Sequence, residues 1–315
     1  MNAVFLDAEG LEACRLADLH EVCGELTIFA YTRSEELDER IGGAELLIVN
    51  KVRIGRATLA AHPAVKLICL VATGADCIDL VAAREFGVTV CNCRGYGTDS
   101  VVQHVFAMIL ALKTSLVQYH QSVQDGRWQG AEQFCFLDHR ITELAGKTMG
   151  IVGFGNLGKR VATVAEVFGM DVIVAARPGM SGDSRPPLLK ILPDLDVLTL
   201  HCPLTEATRH LIGRRELALM KPTALLINAA RGGIVDEAAL AEALRDGIIG
   251  GGGVDVLSEE PPRGGNVLLD AGLANLIVTP HIAWASQEAR QRLVDQTVEN
   301  IVAWQHGRAI RVVGD

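Results

Sequence analysis

The stretch TMGIVGFGNLGKRVATVAEVFGMDVIVAA, residues 148–176, decides the fold. Its glycines have the G-x-G-x-x-G spacing, directly after an apolar run and before a helical pattern that leads into a second apolar run. In such a strand–turn–helix–strand unit the glycines allow a tight turn, a close approach of the backbone to a pyrophosphate, and close packing of helix on strand. We therefore predict that a dinucleotide binds at Gly153, Gly155, Asn156, Leu157 and Gly158.

Short apolar runs alternate with amphipathic segments on both sides of this unit. The first series is AVFLD, LTIFA, ELLIVN, VKLICLV and VTVCN, and the second is TMGIVG, DVIVAA, DVLTLHC, ALLINAA, GGGVDV and NLIVTP. Continuous apolar strands separated by helices are typical of parallel sheets that are covered on both faces. The pattern predicts an α/β fold with two doubly wound, Rossmann-like domains and a cleft between them.

Two amphipathic segments set the predicted domain boundaries. One begins at Thr98 and reads as a single long linking helix; the other begins at Ser286, and the tail RAIRVVGD after it is too short to form a domain. We expect this tail to return to the first domain. The prediction is a flavodoxin-like substrate domain, residues 1–98 and 287–315, with an inserted nucleotide-binding domain, residues 99–286.

Composition excludes several classes of partner and site. The net charge of −9 disfavours nucleic acid and anionic membranes. The N-terminus lacks the basic and apolar regions of a signal peptide, and no apolar run is long enough to span a membrane, so a cytoplasmic protein is expected. The eight cysteines lack C-x-x-C spacing, which predicts reduced thiols and no metal site.

The end of the strand DVIVAA bears on the choice of cofactor. An acidic residue at this place holds the ribose 2′-hydroxyl of NAD, but here Ala176 is followed by Arg177. Alanine cannot accept that hydroxyl, whereas a guanidinium attracts a 2′-phosphate. NADP is therefore the preferred cofactor in this interpretation, with NAD possible and a solvated Arg177 as the alternative.

Polar residues follow three successive strand runs of the second domain. Arg231 follows ALLINAA, Glu259 and Glu260 follow GGGVDV, and His281 follows NLIVTP. Ligands of open α/β sheets bind at the carboxyl ends of the strands, so we expect these groups to converge there. The planar fork of Arg231 would bind a substrate carboxylate, and His281 would exchange a proton with a carbonyl oxygen.

The segments GIVGFGNLG, NAARGGIVDEAAL, GGGVDVLSEEPP and TPHIAWAS resemble the signature segments of the D-isomer-specific 2-hydroxyacid dehydrogenase family. The resemblance also includes VATGADCIDLVAAREFGVTVCNCRGYGTDSV upstream and covers most of the chain beyond about residue 65. It implies that Arg231 orients a 2-keto acid, that His281 is the acid/base, and that Glu260, which directly precedes Pro261, pairs with His281. Glu259 is then a solvated neighbour.

The same resemblance implies further roles outside these three residues. It places the backbone amides of Thr73, Gly74 and Ala75 on the substrate carboxylate, and Asp255 on the nicotinamide carboxamide, with a structural turn aspartate as the alternative. It also implies that Cys202 and Pro203 line the adenosine side of the cofactor site.

Within this family, GYGTDSVVQHVFAMILAL, FCFLD and HIAWASQEAR are most similar to glycerate dehydrogenases and glyoxylate/hydroxypyruvate reductases. That similarity implies a small polar 2-keto acid as substrate and a homodimer, with the segment from about Val117 to Arg140 as the place where subunits meet. Trp284 would crowd the pocket or extend toward a partner subunit, with ordinary interface or core packing as the alternative. Lys51 either faces the cleft or is solvated.

Two alternative functions are compatible with the sequence. The same chemistry could serve phosphite or a larger hydroxyacid, because sequence does not give the pocket volume. A dinucleotide-sensing binding protein without enzymatic activity is the other, since this fold also serves as a transcriptional corepressor. The presence of Arg231, Glu260 and His281 together argues against a sensor, which needs only the nucleotide site.

Overall fold

Eleven strands form two separate, wholly parallel sheets in the computed structural model, which describes residues 1–314. The chain divides into one unit of Met1–Gly97 with the residues from Ala285 onward, and a second unit of Thr98–Trp284. The prediction of an α/β fold with two doubly wound parallel sheets is confirmed. The assignment of the units as substrate and nucleotide domains stays a prediction.

The first unit has a sheet of order β2-β1-β3-β4-β5, which is the flavodoxin-like order. Its strands are β1 (Asn2–Phe5), β2 (Glu25–Ile28), β3 (Leu46–Val49), β4 (Leu67–Leu70) and β5 (Thr89–Cys91). Its helices include α1 (Ala17–Cys23), α2 (Leu37–Ile41), α3 (Arg56–Ala61) and α4 (Leu80–Glu85), with a 3-10 turn at Ser34–Glu36. The central strands β3 and β4 are buried at every residue, as their unbroken apolar runs predict.

The second unit has a sheet of order β11-β10-β9-β8-β6-β7. Its strands are β6 (Thr148–Val152), β7 (Asp171–Val174), β8 (Val197–Leu200), β9 (Leu225–Asn228), β10 (Gly251–Val254) and β11 (Leu276–Val278). Its helices are α5 (Thr98–Lys113), α6 (Leu116–Gln124), α7 (Asn156–Val167), α8 (Leu188–Ile191), α9 (Arg214–Leu217), α10 (Glu237–Arg245) and α11 (Val267–Asp270), with a 3-10 turn at Leu192–Asp194. The strand order reverses between β6 and β8: β7 lies on one side of β6, and the later strands follow one another on the other side. Ligands of such sheets bind outside the carboxyl ends of the strands at that point.

The long helix expected from Thr98 is wrong as a single element, because it breaks between α5 and α6. Ser115 takes a left-handed backbone conformation, with φ of 49°. Two bonds from a distant segment support the break: Ser115 Oγ donates to the Arg140 carbonyl at 2.7 Å, and the Thr142 amide donates to the Lys113 carbonyl at 2.8 Å. A segment at least 25 residues further along the chain therefore supplies a donor to the Lys113 carbonyl at the break and accepts a hydrogen bond from the Ser115 hydroxyl.

The terminal helix α12 (Gln287–Gln305) belongs to the first unit. Ser286 caps it by accepting a hydrogen bond from the Ala289 amide at 3.1 Å. The tail beyond it lies along the edge strand β5, where Val312 bridges Cys91 and the Val313 amide donates to the Val90 carbonyl at 2.9 Å. The tail therefore covers an edge of the first sheet that would otherwise be unpaired.

Across residues 1–314, no single helix is long and apolar enough to cross a membrane. Only α5 and α6 taken together reach that length and composition, and they are bent by 61° at the break.

Candidate active site

His281 and Glu260 form a hydrogen-bonded pair beyond the ends of β11 and β10. The imidazole Nδ1 lies 2.7 Å from Glu260 Oε2, and Glu260 Oε1 accepts a hydrogen bond from the Leu257 amide at 2.9 Å. Because a carboxylate only accepts, Nδ1 of His281 carries a proton, and Nε2 is the nitrogen that can exchange a proton with a ligand. Glu259 is an exposed neighbour on the same loop. The pair has the composition of a general acid/base and its orienting carboxylate.

The loop that carries His281 is fixed from several sides. His281 has a left-handed backbone with φ of 55°, and its amide donates to the Asp255 carbonyl at 2.7 Å. The indole Nε1 of Trp284 donates to the His281 carbonyl at 2.9 Å. Ser100 Oγ of α5 donates to the Ala283 carbonyl at 2.7 Å. A side chain in the left-handed region is unfavourable unless neighbours hold it, so these contacts define where the imidazole stands.

The buried carboxylate of Asp255, a residue that is 1% exposed, accepts several hydrogen bonds from this loop. Its Oδ1 accepts from Thr279 Oγ1 at 2.5 Å and from the Ile282 amide at 2.9 Å. Its Oδ2 accepts from the Ala283 amide at 2.9 Å. These contacts favour the structural alternative for Asp255, in which it holds the histidine loop, because little of its carboxylate surface is open to a ligand.

Arg231 stands beyond the end of the neighbouring strand β9. Its guanidinium Nη1 donates to the Ala230 carbonyl at 2.7 Å, and no carboxylate lies within 4.0 Å of it among the residues that the structure describes. The buried Asn228 fixes the turn, since its Nδ2 donates to the Arg231 carbonyl at 3.0 Å and its Oδ1 accepts from the Ala230 amide at 3.1 Å. A partly buried guanidinium without an internal carboxylate is suited to an anionic ligand.

Gly232 brings the arginine turn against the loop that carries Glu260. A Cβ at Gly232 would lie 1.8 Å from the Leu257 carbonyl oxygen, so only glycine fits at this contact. Leu257 is the residue whose amide binds Glu260. The sequence motif ARGG therefore also has a packing role, because its glycine lets the turn of Arg231 pack directly against the loop that carries Glu260.

The glycine loop after β6 fits a pyrophosphate. Gly153 has φ of 93° and would place a Cβ 2.5 Å from the backbone of His201, while a Cβ at Gly158 would lie 2.1 Å from the Gly153 carbonyl oxygen. At Gly155 a Cβ would meet nothing within 4 Å, so there is open space above the loop. Within the described chain the amides of Gly155, Asn156 and Leu157 donate no hydrogen bond, which leaves three donors at the start of α7 for an anion.

The turn after β8 packs directly beneath this loop. Cys202 is buried, and burial raises the pKa of its thiol to about 11, so it behaves as a small apolar group beside Pro203. His201 binds Thr199 Oγ1 through Nε2 at 3.0 Å, and its buried Nδ1 has no hydrogen-bond partner in the part of the chain that is described. Burial lowers the pKa of His201 to about 4, so its ring is neutral at physiological pH.

Beyond β7 the structure adds an aspartate that the sequence did not single out. Asp183 Oδ2 accepts from the Arg177 amide at 3.0 Å and lies 3.4 Å from its Nε. Arg185 makes a two-pronged contact to the same carboxylate, at 2.8 and 2.5 Å, and this bonding holds the pKa of Asp183 well below its usual range. Two guanidinium groups and one carboxylate therefore meet next to Ala176, with a net positive charge.

The turn Thr73–Ala75 follows β4 in the first unit and is held from behind. Asn92 Nδ2 donates to the Thr73 carbonyl at 2.7 Å, and Thr73 Oγ1 donates to the Cys93 carbonyl at 2.9 Å. The amides of Thr73, Gly74 and Ala75 donate no hydrogen bond within residues 1–314. Several backbone amides on one turn that are available to a ligand are typical of an anion-binding turn.

Lys51 lies on the exposed side of the turn that follows β3 in the same unit. The Asn50, Lys51 and Val52 amides all donate to the partly buried Asp7 carboxylate, at 2.5 to 2.9 Å. Burial raises the pKa of Asp7 despite these bonds. Asp7 could not be singled out from the sequence, because a single aspartate after a strand is also what an ordinary turn contains.

Comparison with known proteins identifies the family of the chain. The family described as D-isomer specific 2-hydroxyacid dehydrogenase, NAD binding domain, matches residues 106–283. The chain belongs to the D-isomer-specific 2-hydroxyacid dehydrogenase family. It is therefore an oxidoreductase that uses a nicotinamide dinucleotide.

Two relatives and one solved structure show how far the similarity extends. A glycerate dehydrogenase of Methylorubrum extorquens is 49% identical over 314 residues, with 99% of this chain and 98% of the relative covered. A hydroxypyruvate reductase of Blautia hydrogenotrophica is 34% identical, with coverage of 99% and 96%. The NADPH-dependent glyoxylate/hydroxypyruvate reductase of Sinorhizobium meliloti, solved with NADP and malonate, is 25% identical with a TM-score of 0.80, covering 99% of this chain and 97% of that one.

Proposed function

We propose that this dehydrogenase reduces small 2-keto acids, hydroxypyruvate and glyoxylate, to D-2-hydroxy acids with NAD(P)H, and catalyses the reverse oxidation. The observation that carries the proposal is the 2.7 Å pair of His281 and Glu260, one strand away from Arg231, which has no carboxylate partner among residues 1–314. The names of the relatives, glycerate dehydrogenase and hydroxypyruvate reductase, support the same substrate class.

In the proposed reaction His281 delivers a proton to the carbonyl oxygen of the keto acid. The hydride for the carbonyl carbon would come from the reduced nicotinamide of the bound cofactor. The doubly protonated imidazole gives up the proton on Nε2 and keeps the one on Nδ1, which stays hydrogen-bonded to Glu260. In the reverse direction the neutral ring takes the hydroxyl proton at Nε2. Glu260 stabilises the imidazolium and fixes which nitrogen faces the substrate.

Arg231 is proposed to bind and orient the carboxylate of the 2-keto acid. Its planar fork can give two parallel hydrogen bonds to a carboxylate, which holds the adjacent carbonyl in one direction. The amides of Thr73, Gly74 and Ala75 are proposed as a second set of donors to the carboxylate. Asn92 supports that turn through the Thr73 carbonyl.

For the cofactor we propose a preference for NADP, with NAD still accepted. Ala176 offers no acceptor for a ribose hydroxyl, and Arg177 has a 61% exposed side chain beside it. Asp183 neutralises one of the two positive charges of Arg177 and Arg185. The proposed NADP preference therefore rests on the remaining positive charge, which would attract the 2′-phosphate. The glycine loop would hold the pyrophosphate, and Cys202 and Pro203 the adenosine side.

Steady-state kinetics test substrate and cofactor together. Oxidation of NADPH and of NADH is followed with hydroxypyruvate, glyoxylate and pyruvate, and the proposal predicts turnover of the first two with NADPH preferred. Arg177→Ala should raise the KM for NADPH at least about tenfold, the cost of one charge-assisted hydrogen bond, and leave that for NADH unchanged. Lys190→Ala, which removes an exposed charge from α8, is the matched control. Equal use of both cofactors overturns the NADP preference, and no turnover with any pair overturns the substrate class.

We propose in addition that two copies of the chain associate through the segment from Val117 to Arg140. Trp128, Phe134 and Leu137 are 54%, 87% and 79% exposed there. Their backbone is ordered by a bond from Trp128 Nε1 to the Phe134 carbonyl at 2.9 Å and by the Arg127–Asp138 ion pair at 2.8 Å. An ordered loop that presents large apolar groups is typical of a permanent subunit contact.

Light scattering after gel filtration tests this association. The native chain should elute as a dimer and Phe134→Asp as a monomer, while Leu219→Asp, at a partly exposed leucine outside the segment, should remain dimeric. A native monomer at all concentrations would overturn the homodimer.

A further inference from the structure

A chain of three side chains connects helix α5 to the loop of His281. His104 Nε2 lies 2.9 Å from Thr279 Oγ1, and Thr279 Oγ1 lies 2.5 Å from Asp255 Oδ1. His104 is on α5, Thr279 directly follows β11, and Asp255 directly follows β10. The side chain of His104 is only 19% exposed. None of the roles assigned above uses this histidine.

The directions of the two hydrogen bonds follow from counting protons. An ionised carboxylate only accepts hydrogen bonds, so the Thr279 hydroxyl donates its single proton to Asp255. The hydroxyl oxygen must then accept from His104, so Nε2 of His104 carries a proton. The imidazole therefore determines the rotation of the Thr279 hydroxyl, which in turn points its proton at Asp255.

Asp255 transmits this order to the acid/base histidine. Its carboxylate binds the amides of Ile282 and Ala283, the two residues after His281, and its carbonyl binds the His281 amide. His281 has the left-handed φ of 55°, a conformation that relaxes when its neighbours do not hold it. A change in the hydrogen bonds of Asp255 would therefore displace the imidazole of His281.

The Asp255 carboxylate has few basic groups around it, and His104 is one of them. Among the residues described, no lysine or arginine nitrogen lies within 4.0 Å of the buried Asp255 carboxylate. The one basic side-chain nitrogen within that distance in the described chain is His104 Nε2, at 3.6 Å. Arg160 of α7 pairs with Asp99, which stands more than one turn before His104 on α5. A buried carboxylate requires hydrogen bonds or a counter-charge. Asp255 receives hydrogen bonds from Thr279 and from two backbone amides, and His104 holds the Thr279 hydroxyl in the orientation that makes the first of them.

We propose that His104 is a positioning residue for His281, acting through the Thr279 hydroxyl and the Asp255 carboxylate. The inference rests on the proposed acid/base role of His281. His104 itself touches neither substrate nor cofactor in this account. Its effect is on the orientation of the imidazole, which matters for the chemical step more than for binding.

The test compares His104→Leu, which removes the donor, with His104→Gln, whose Nε2 can donate to Thr279 in its place. His104→Leu should lower kcat for hydroxypyruvate reduction by up to about 10²-fold, the cost of misplacing a catalytic group, with the KM for the cofactor unchanged. His104→Gln should recover most of that loss. Gln103→Leu, at the exposed neighbouring position on α5, is the control for a changed helix surface and should keep the native kcat.

Thr279 provides an independent variant if His104→Leu fails to fold. Thr279→Val removes the hydroxyl and keeps the shape, whereas Thr279→Ser keeps the hydroxyl, so only the first should lose kcat. The double variant His104→Leu/Thr279→Val should be no slower than either single variant, because both break the same chain of bonds. A native kcat in His104→Leu and Thr279→Val, with His281→Ala inactive, overturns this inference alone. A native kcat in His281→Ala overturns the proposed function itself.

Discussion

Glu260 Oε2 and His281 Nδ1 are 2.7 Å apart, although the two residues are 21 positions apart in the chain. The loops after two adjacent parallel strands, β10 and β11, bring them together. The second oxygen of Glu260 is held by the Leu257 amide, so the carboxylate has a fixed orientation before any ligand binds. A fixed carboxylate at Nδ1 leaves Nε2 as the nitrogen that meets the substrate, which is the central feature of the proposed mechanism.

Glu260→Gln tests this feature with almost no change in shape. The amide oxygen can still accept from Leu257, but the amide nitrogen then donates to Nδ1 of His281 and forces the proton onto Nε2. The ring can neither take a proton there nor be stabilised as imidazolium, so kcat should fall by about 10²-fold or more in both directions. Steady-state rates of reduction and oxidation check this result. The double variant Glu260→Gln/His281→Ala should be no slower than His281→Ala alone, and additive losses would contradict the pairing.

Arg231→Lys tests the proposed carboxylate contact. A point charge replaces a planar fork, so the KM for hydroxypyruvate should rise by roughly tenfold or more while the KM for the cofactor stays the same. Arg245→Lys, at the end of α10, is the matched control. Unchanged kinetics in Arg231→Lys would show that the substrate carboxylate binds elsewhere.

Asn92→Ala tests the turn of Thr73 from behind, without touching the turn itself. Asn92 is 6% exposed and its Nδ2 donates to the Thr73 carbonyl. Loss of this bond should let the turn move and raise the KM for the keto acid by several-fold, since a typical hydrogen bond contributes about 1 kcal/mol. Thermal unfolding measured alongside distinguishes this from a general loss of stability. An unaltered KM in a folded variant would argue against the three amides as substrate donors.

His201 predicts how stability depends on pH. Its pKa falls from the ordinary value of 6.5 to about 4 in the folded chain, so at intermediate pH the unfolded chain binds a proton that the folded chain does not. The unfolding free energy should therefore decrease as the pH falls from about 6.5 towards 4 and then level off, with a loss of about 2 kcal/mol at about pH 5.

Urea unfolding of the native chain and of His201→Gln at about pH 7.5 and about pH 5 measures this contribution. The variant should lose less stability on acidification, because glutamine does not titrate. His120→Gln, at an exposed histidine on α6, should behave like the native chain. Equal losses in all three proteins would show that His201 is not the titrating group.

Local pattern predicted the two sheets because their central strands, such as β3, β4, β8 and β9, are buried on both faces and therefore read as unbroken apolar runs. It also predicted which side chains follow β9, β10 and β11, since parallel strands carry their carboxyl ends to one edge. The break at Ser115 was not predictable in the same way. The residues around it have helical spacing, and the bond from Ser115 to Arg140 that compensates the break depends on a distant segment.

Two features of the candidate site were missed for a similar reason. Asp183 lies in a polar Gly/Pro-rich loop, and only the folded loop brings its carboxylate to Arg177 and Arg185. His104 occupies an ordinary position on an amphipathic helix, and its bond to Thr279 joins residues 175 positions apart in the chain. Periodicity identifies the face of a helix, but it does not identify the partner that a side chain meets across the core.

The most direct test is the reduction of hydroxypyruvate by the native chain and by His281→Ala, with NADPH and with NADH, followed by determination of the configuration of the product. We predict D-glycerate from the native chain. For His281→Ala we predict a kcat lower by about 10²–10⁴-fold, with cofactor binding intact by fluorescence titration. Near-native turnover by His281→Ala, or formation of L-glycerate by the native chain, would contradict the account.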